Sequence, residues 1–380
     1  MTSAPSIGAA PGSSSPDRGV AAAAARAPGK LILMGEHAVV YGEPALVASL
    51  GLHLSARVEP SAGAAVEILL PALEHAETTD WPSLARTADE AGRRWREFAA
   101  DPTGVPVASL GDRDEAGLAR VALGEAARRS ERPLPGCWVR VEGDLPPGSG
   151  FGSSAALAVA VLSACRAAFA LPMTEASLES AALDVERWQH GLPSGVDGAT
   201  VIRGGVVWAE RSPEGLLSIT AVRPDPEHFA RLRVLHTGAP RHSTGEVVAA
   251  VRERVEGEGP HARARLARMG GTTREFRRVI EGGGSASDAL RLLRAYQADL
   301  DALGVVPERV RALVATVEAA GGAAKVSGAG ALAAEAGPED GAGSVLIYHP
   351  DRDFLASWSP PPGTRSIAAP LGVPGVQLVA

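Results

Sequence analysis

The sequence predicts an α+β fold in two lobes, and three observations carry that expectation. The chain has 380 residues, too many for one ordinary core and suited to a larger two-layer domain beside a smaller one. Its opening alternates short apolar runs with glycine turns, the pattern of a small sheet, before longer stretches with apolar residues at helical spacing. Beyond about Pro226 the texture changes to one strand candidate followed by a series of charged helices. The expected organisation is a disordered, Ala/Ser/Gly/Pro-rich tail over residues 1–25, a first lobe over 26–228 and a second over 229–380. The tail lacks the basic end and apolar stretch of a signal peptide.

Taken in order, residues 31–33 and 38–41 predict short strands, and residues 52–58 alternate with a period of two. Residues 84–98 and 115–127 have the spacing of helices that cover a sheet face. Residues 139–143 form a strand candidate. After it comes a Gly/Ser loop, then a helix over 155–169 that is apolar on nearly every side and therefore buried. A second helix over 174–188 ends near Gly191-Leu192-Pro193, a stop signal, and residues 204–208 return as a strand. In the second half, a strand at 232–236 precedes helices at 246–255, 262–280, 286–303 and 307–320. Gly282-Gly283-Gly284 breaks two of these helices apart. A last strand is expected at 344–348 and an exposed loop at 360–363.

Composition narrows the function. Apolar residues make up 45% and charged residues 21% of the chain, close to globular averages, so a sizeable core can be buried. A formal charge of −7, with 37 basic residues spread among 44 acidic ones, leaves no basic stripe for a nucleic-acid backbone. Cys137 and Cys165 are too few for a disulfide scaffold and lack metal-ligand spacing, which fits buried structural thiols in a reducing, cytoplasmic compartment. No apolar run approaches the ~20 residues that span a bilayer.

Three segments carry chemistry. In Pro147-Gly148-Ser149-Gly150-Phe151-Gly152-Ser153-Ser154, glycines and serines lead straight into the buried helix. Such a loop presents backbone N–H groups and a helix N-terminus to an anion, and Ser153 or Ser154 can offer a hydroxyl to Mg²⁺. A loop of this kind is equally a plain strand-to-helix turn, and it matches neither the P-loop nor the dinucleotide fingerprint. The second segment joins Glu186, near a helix end, to the turn Pro193-Ser194-Gly195-Val196-Asp197-Gly198. Phosphoryl transfer needs charge neutralisation, in-line positioning and an acceptor for the hydroxyl proton; Glu186 suits the metal and Asp197 the proton. The third runs from Arg26 to Gly42 and contains Lys30. Lys30 and Lys325 are the only lysines, and arginine supplies every other basic residue. A retained lysine points to a place that needs a compact charge with movable donors, and Lys30 beside Asp197 would hold that carboxylate ionised. Lys325 is either structural or near phosphate.

In this order the three segments resemble the GHMP kinase family of small-molecule kinases (galactokinase, homoserine, mevalonate and phosphomevalonate kinases). Ala27-Pro28-Gly29-Lys30 followed by Gly35-Glu36-His37-Ala38-Val39-Val40-Tyr41-Gly42 looks like the branch that acts on mevalonate. The resemblance runs from about Arg26 to the C-terminus. It implies a ribosomal S5 domain 2-like N-terminal lobe with a left-handed crossover, a ferredoxin-like C-terminal lobe and an active site between them. It implies ATP and Mg²⁺ as cofactors and phosphorylation of the C5 hydroxyl of mevalonate, a small-molecule partner, by a soluble enzyme that can form a homodimer. Carried over by position, Asp197 is the catalytic base and Lys30 its partner, and Glu186 and Ser154 hold Mg²⁺. Pro147, Gly148, Ser149, Gly150, Phe151, Gly152, Ser153 and Ser154, with Gly328 and Gly330, surround the phosphates. Glu36, His37, Ser243 and Thr244 meet the mevalonate end.

The rival readings are phosphomevalonate kinase, which Arg241 and His242 keep open, and a non-catalytic homologue that binds a nucleotide or metabolite. The third glycine motif departs from the family pattern. Gly328-Ala329-Gly330 continues as Ala331-Leu332-Ala333 and then an acidic stretch, where relatives carry a run of glycines and so a freer backbone.

Overall fold

Two long apolar strands, β1 (Ala23–Met34) and β2 (Ala45–Pro60), form the spine of the first lobe and pair antiparallel from Ala23↔Val58 to Met34↔Leu46. The structure is a computed structural model that describes residues 20–102, 104–110, 115–146, 148–212, 214–354 and 358–379. Of the expected tail, residues 1–19 lie outside the described residues, and Ala23 to Ala25 correct it, because they are already strand. The segment between β1 and β2 also differs from expectation. Ala38–Tyr41 is a 3-10 turn, closed by Gly42, rather than a strand, since four apolar residues between glycine turns are too few to reach a neighbouring strand.

A hairpin of β3 (Ala65–Leu70) and β4 (His75–Asp80) follows. Asp80 then caps α1 (Trp81–Ala100), its carboxylate accepting from the Ser83 N–H at 2.7 Å, the ordinary role of an acidic N-cap. Next come α2 (Glu115–Arg128) and β5 (Cys137–Gly143), which is antiparallel to β2 and parallel to β3. α3 (Ser153–Ala168) is buried along almost its whole length, as its all-round apolar sequence requires. It packs against β1, β2, α2 and α4 (Glu175–His190). A short helix, α5 (Val196–Arg203), stands where a simple turn was expected, and β6 (Val206–Arg211) and β7 (Leu217–Val222) complete this part. Both cysteines are free and buried.

After a single turn, α6 (Pro226–Phe229), the second lobe begins with β8 (Leu232–His236). Helices α7 (Thr244–Glu258), α8 (Pro260–Arg278), α9 (Ala286–Ala302) and α10 (Glu308–Ala319) follow, with the break after α8 at Gly282, φ 93°. β9 (Ala323–Ser327), β10 (Ser344–Tyr348) and β11 (Arg365–Ile367) join β8 in an antiparallel sheet of order β11-β8-β10-β9. Every residue of β9 and β10 is buried.

The chain does not end in this lobe. β12 (Gln377–Val379) pairs antiparallel with β1 and completes the first sheet, of order β12-β1-β2-β5-β3-β4 with β6 and β7 branching from β2. A second lobe running to residue 380 is therefore corrected: the last strand straps back across the boundary. The strap is held by Ser49, whose hydroxyl donates to the Val373 carbonyl at 2.6 Å and whose own carbonyl accepts from Gly372 N–H at 2.8 Å. Removing residues 369–380 deprives these buried groups of partners at about 1–3 kcal/mol each. The truncated chain should unfold at a midpoint several degrees lower in a thermal melt, and an unchanged midpoint would show the strap to be incidental.

Candidate active site

The two lobes enclose a cleft of about 610 Å³. Its wall is built from the end of β1, the loop before α3, the end of α4, the start of α5, the segment before α7 and the loop after β9. Lys30 is on β1 and Asp197 is in the first turn of α5. The Lys30 Nζ lies 2.8 Å from Asp197 Oδ2, with the lysine nearly fully buried and the aspartate partly open to the cleft. Local sequence explains both positions. β1 carries a bulge at Pro28/Gly29, and a Cβ on Gly29 would lie 2.9 Å from the Phe151 carbonyl. The bare glycine lets that carbonyl approach, where it accepts from the Lys30 N–H at 2.8 Å. Gly152, at φ 74°, then passes over the Lys30 side chain, and a Cβ there would be 2.6 Å from Lys30 Cγ. On the other side, Arg211 donates to the Ser194 carbonyl at 2.8 Å and steadies the turn that starts α5.

Glu186, on α4, faces the same cleft and is buried. Burial above all, and the nearby charge of Asp197, push its carboxyl up to about 8, against the pull of Lys30 and Arg187. Its Oε2 is buried without a hydrogen-bond partner among the described residues. That orphaned oxygen is suited to a cation. No group of three or more His, Cys, Asp or Glu side chains that would hold a metal unaided occurs among the described residues. Mg²⁺ in a phosphoryl-transfer site needs less, since one or two carboxylates suffice beside water and phosphate oxygens. Glu186 and the Ser154 hydroxyl fit that requirement.

The loop before α3 ends in Gly152, and no side chain caps the first N–H groups of the helix, so those donors and the helix dipole are left for an anion in the cleft. Gly148, Gly150, Gly152, Ser153 and Ser154 line the cleft. Ser149 and Phe151 turn away from it. The Ser149 hydroxyl donates to the Pro146 carbonyl at 2.6 Å, and Phe151 is fully buried against His236. Pro147 lies outside the described residues. Beside this loop, Gly328 and Gly330 line the wall with left-handed backbones, φ 102° and 76°, and a Cβ on Gly328 would lie 3.8 Å from the Gly150 carbonyl oxygen. The residues that replace the expected glycines fall behind this wall, where the Ala331 and Ala333 N–H groups donate to the Val305 and Gly304 carbonyls at 3.1 and 2.9 Å.

Glu36 and His37 line the cleft but are buried. The His37 Nε2–H donates to the Ala329 carbonyl at 2.9 Å, and burial lowers the ring to about 4, so the imidazole is neutral at physiological pH and ties the β1 turn to the third glycine loop. One oxygen of Glu36 is in contact with Lys325 Nζ, a pairing that the sequence did not disclose. Its signal was only the rarity of lysine. Ser243 and Thr244 stand at the start of α7 in the cleft wall. Ser243 also serves as the cap, in a reciprocal box with Glu246.

Residues 118–205 match the GHMP kinases N terminal domain. A mouse protein named mevalonate kinase is 35% identical over 256 residues, an alignment spanning 60% of this chain and 62% of the mouse protein. The human mevalonate kinase is 31% identical over 339 residues, 80% of this chain and 82% of the human one. Among solved structures, the Methanococcus jannaschii mevalonate kinase superposes with a TM-score of 0.67 at 16% identity, covering 92% of this chain and 98% of that one. A Lactococcus lactis galactokinase complexed with galactose gives the same TM-score and identity, covering 94% and 95%. The fold is thus shared by kinases named for different substrates.

The perturbed Glu186 carboxyl yields a pH-dependent prediction for the metal-free chain. Between its ordinary value of 4.5 and about 8, the folded chain keeps a proton that the unfolded chain releases. Its stabilising contribution is therefore full below about 4.5 and is lost as pH rises through about 8. Glu186→Gln carries no such proton, so it should be more stable than the parent near pH 9 by on the order of a few kcal/mol, with the gap closing toward pH 5. Thermal melts across that range test this; a gap that does not change with pH would contradict the assignment.

Proposed function

Because the chain belongs to the GHMP kinase family, we propose that it is a mevalonate kinase, transferring the γ-phosphoryl group of ATP to the C5 hydroxyl of mevalonate. The observation that carries this reading is the contact of Lys30 with Asp197 in a cleft lined beside them by the uncapped start of α3. The N–H groups at Gly152 to Ala155 receive the triphosphate, with Gly328 and Gly330 closing over it. Glu186 and Ser154 hold Mg²⁺, which when bound neutralises phosphate charge and orients the transferred group.

Asp197 accepts the proton of the C5 hydroxyl as that oxygen forms its bond to the γ-phosphorus in line. The bond from the γ-phosphorus to the bridging oxygen breaks, the electron pair leaves with ADP, and the proton stays on Asp197 until product departs. Lys30 offsets the negative charge that develops on the attacking oxygen. No phosphoenzyme is required. Glu36, His37, Ser243 and Thr244 shape the end of the cleft that receives the rest of mevalonate. No helix among the described residues is long and apolar enough to cross a membrane, in keeping with a small-molecule substrate met in solution.

Phosphomevalonate is the second reading, because Arg241 and His242 also line the cleft. Each makes a contact with Glu335: Arg241 Nη1 donates to its backbone carbonyl at 3.3 Å, and His242 Nε2 lies 3.0 Å from its Oε2, while His242 Nδ1 is buried with no hydrogen-bond partner among the described residues.

Asp197→Asn and Lys30→Met should each lower kcat by roughly 10²–10⁴-fold, with the thermal midpoint close to the parent's. Near-parental turnover in both variants would remove the pair from the mechanism. ADP release measured with mevalonate, phosphomevalonate, homoserine and galactose tests the substrate. Turnover on mevalonate is expected, and turnover on one of the other three alone would overturn the assignment.

A further inference from the structure

Lys325 is fully buried on β9, between Ala324 and Val326, in a strand with no exposed residue. Its ammonium contacts Glu36 Oε1, donates to the Val326 carbonyl at 2.9 Å and sits 5.6 Å from the Tyr296 ring centroid. Tyr296 also holds the Glu36 backbone, its hydroxyl donating to that carbonyl at 2.9 Å. The second carboxylate oxygen, Glu36 Oε2, is buried with no hydrogen-bond partner among the described residues, and Glu36 lines the cleft. Glu36 thus comes from the first lobe, and the groups that fix it come from the second.

Stability does not explain the pair. Taking an ammonium and a carboxylate out of water is costly, and well-packed apolar residues of similar volume hold such a position as well or better. The strand around Lys325 is apolar, and a methionine would match its shape. An arginine, the basic residue used everywhere else except at Lys30, would bring a planar fork that engages both oxygens of a carboxylate, whereas the lysine holds one.

We propose that Lys325 is a positioning residue for substrate recognition: it anchors one oxygen of Glu36 from across the lobe boundary so that the other is held for a hydroxyl of the substrate that does not react. The recognised class is a small acid carrying a second hydroxyl. This inference rests on the reading of the cleft as a mevalonate site. It separates the two lysines by task, Lys30 serving the reacting oxygen and Lys325 acting only through Glu36.

The test is a double-mutant cycle of Glu36→Gln, Lys325→Met and the two combined, with KM for mevalonate, KM for ATP and kcat measured for each. Each single variant should raise KM for mevalonate about tenfold or more while leaving KM for ATP near the parent's, and the double variant should be no worse than Glu36→Gln alone. If Lys325→Met alone fails to fold, the double variant, which has no unpaired buried charge, still decides by comparison with Glu36→Gln. Losses that multiply in the double variant, an equal rise in KM for ATP, or a Lys325→Met enzyme like the parent would overturn the inference. Parent turnover on mevalonate is the control: its absence sinks the functional reading, whereas its presence with an unaffected Lys325→Met sinks this proposal alone.

Discussion

The site depends on one contact, the Lys30 ammonium against the Asp197 carboxylate at 2.8 Å. The two residues are distant in sequence, and the surrounding fold makes their meeting unavoidable. β1 is pinned along its length to β2, its bulge admits the Phe151 carbonyl, and the loop beyond it crosses the lysine through a residue with no side chain. α5 is short and starts in the cleft, with Asp197 in its first turn.

The rest of the cleft is an arrangement of carboxylates at different depths. Asp197 is partly open and paired, Glu186 is buried with one oxygen unsatisfied, and Glu36 is buried with one oxygen anchored. A buried carboxylate is costly unless something compensates it. Burial raises both buried carboxyls, Glu186 to about 8, and Glu36 has a lysine ammonium against it. Placing that cation on the second lobe makes closeness of the lobes a condition of an organised site. Ser327 reinforces the same seam, its hydroxyl donating to the Ile32 carbonyl at 2.7 Å, as does Arg274, which reaches both Glu43 and Glu210.

Much of this was legible in the residues. The longer helices announced themselves by apolar spacing, α3 by being apolar all round, and the strands β5, β8 and β10 by short apolar runs. The hairpin of β3 and β4 escaped because His75 to Asp80 is almost wholly polar and shows no alternation of apolar and polar residues. Residues 38–41 misled in the opposite sense, apolar enough for a strand yet confined between glycines. Ser194 to Gly198 reads as a turn until its continuation is seen to wind into α5. β12 is three exposed residues and gains its place only from pairing with β1. At the site, Lys30 and Asp197 were marked by residue type and motif, but the partner of Glu36 was not, since local sequence carries no trace of a contact made between lobes.

The similarity of this fold to both a mevalonate kinase and a galactokinase shows that architecture leaves the substrate open, so the chemistry must be read from where the reacting hydroxyl sits. A crystal structure of the chain with a non-hydrolysable ATP analogue, Mg²⁺ and mevalonate measures that directly. The account predicts the C5 hydroxyl within hydrogen-bonding distance of Asp197, with the γ-phosphate between it and the start of α3. A C5 hydroxyl turned away from Asp197, or a triphosphate bound elsewhere than at that helix, would contradict it.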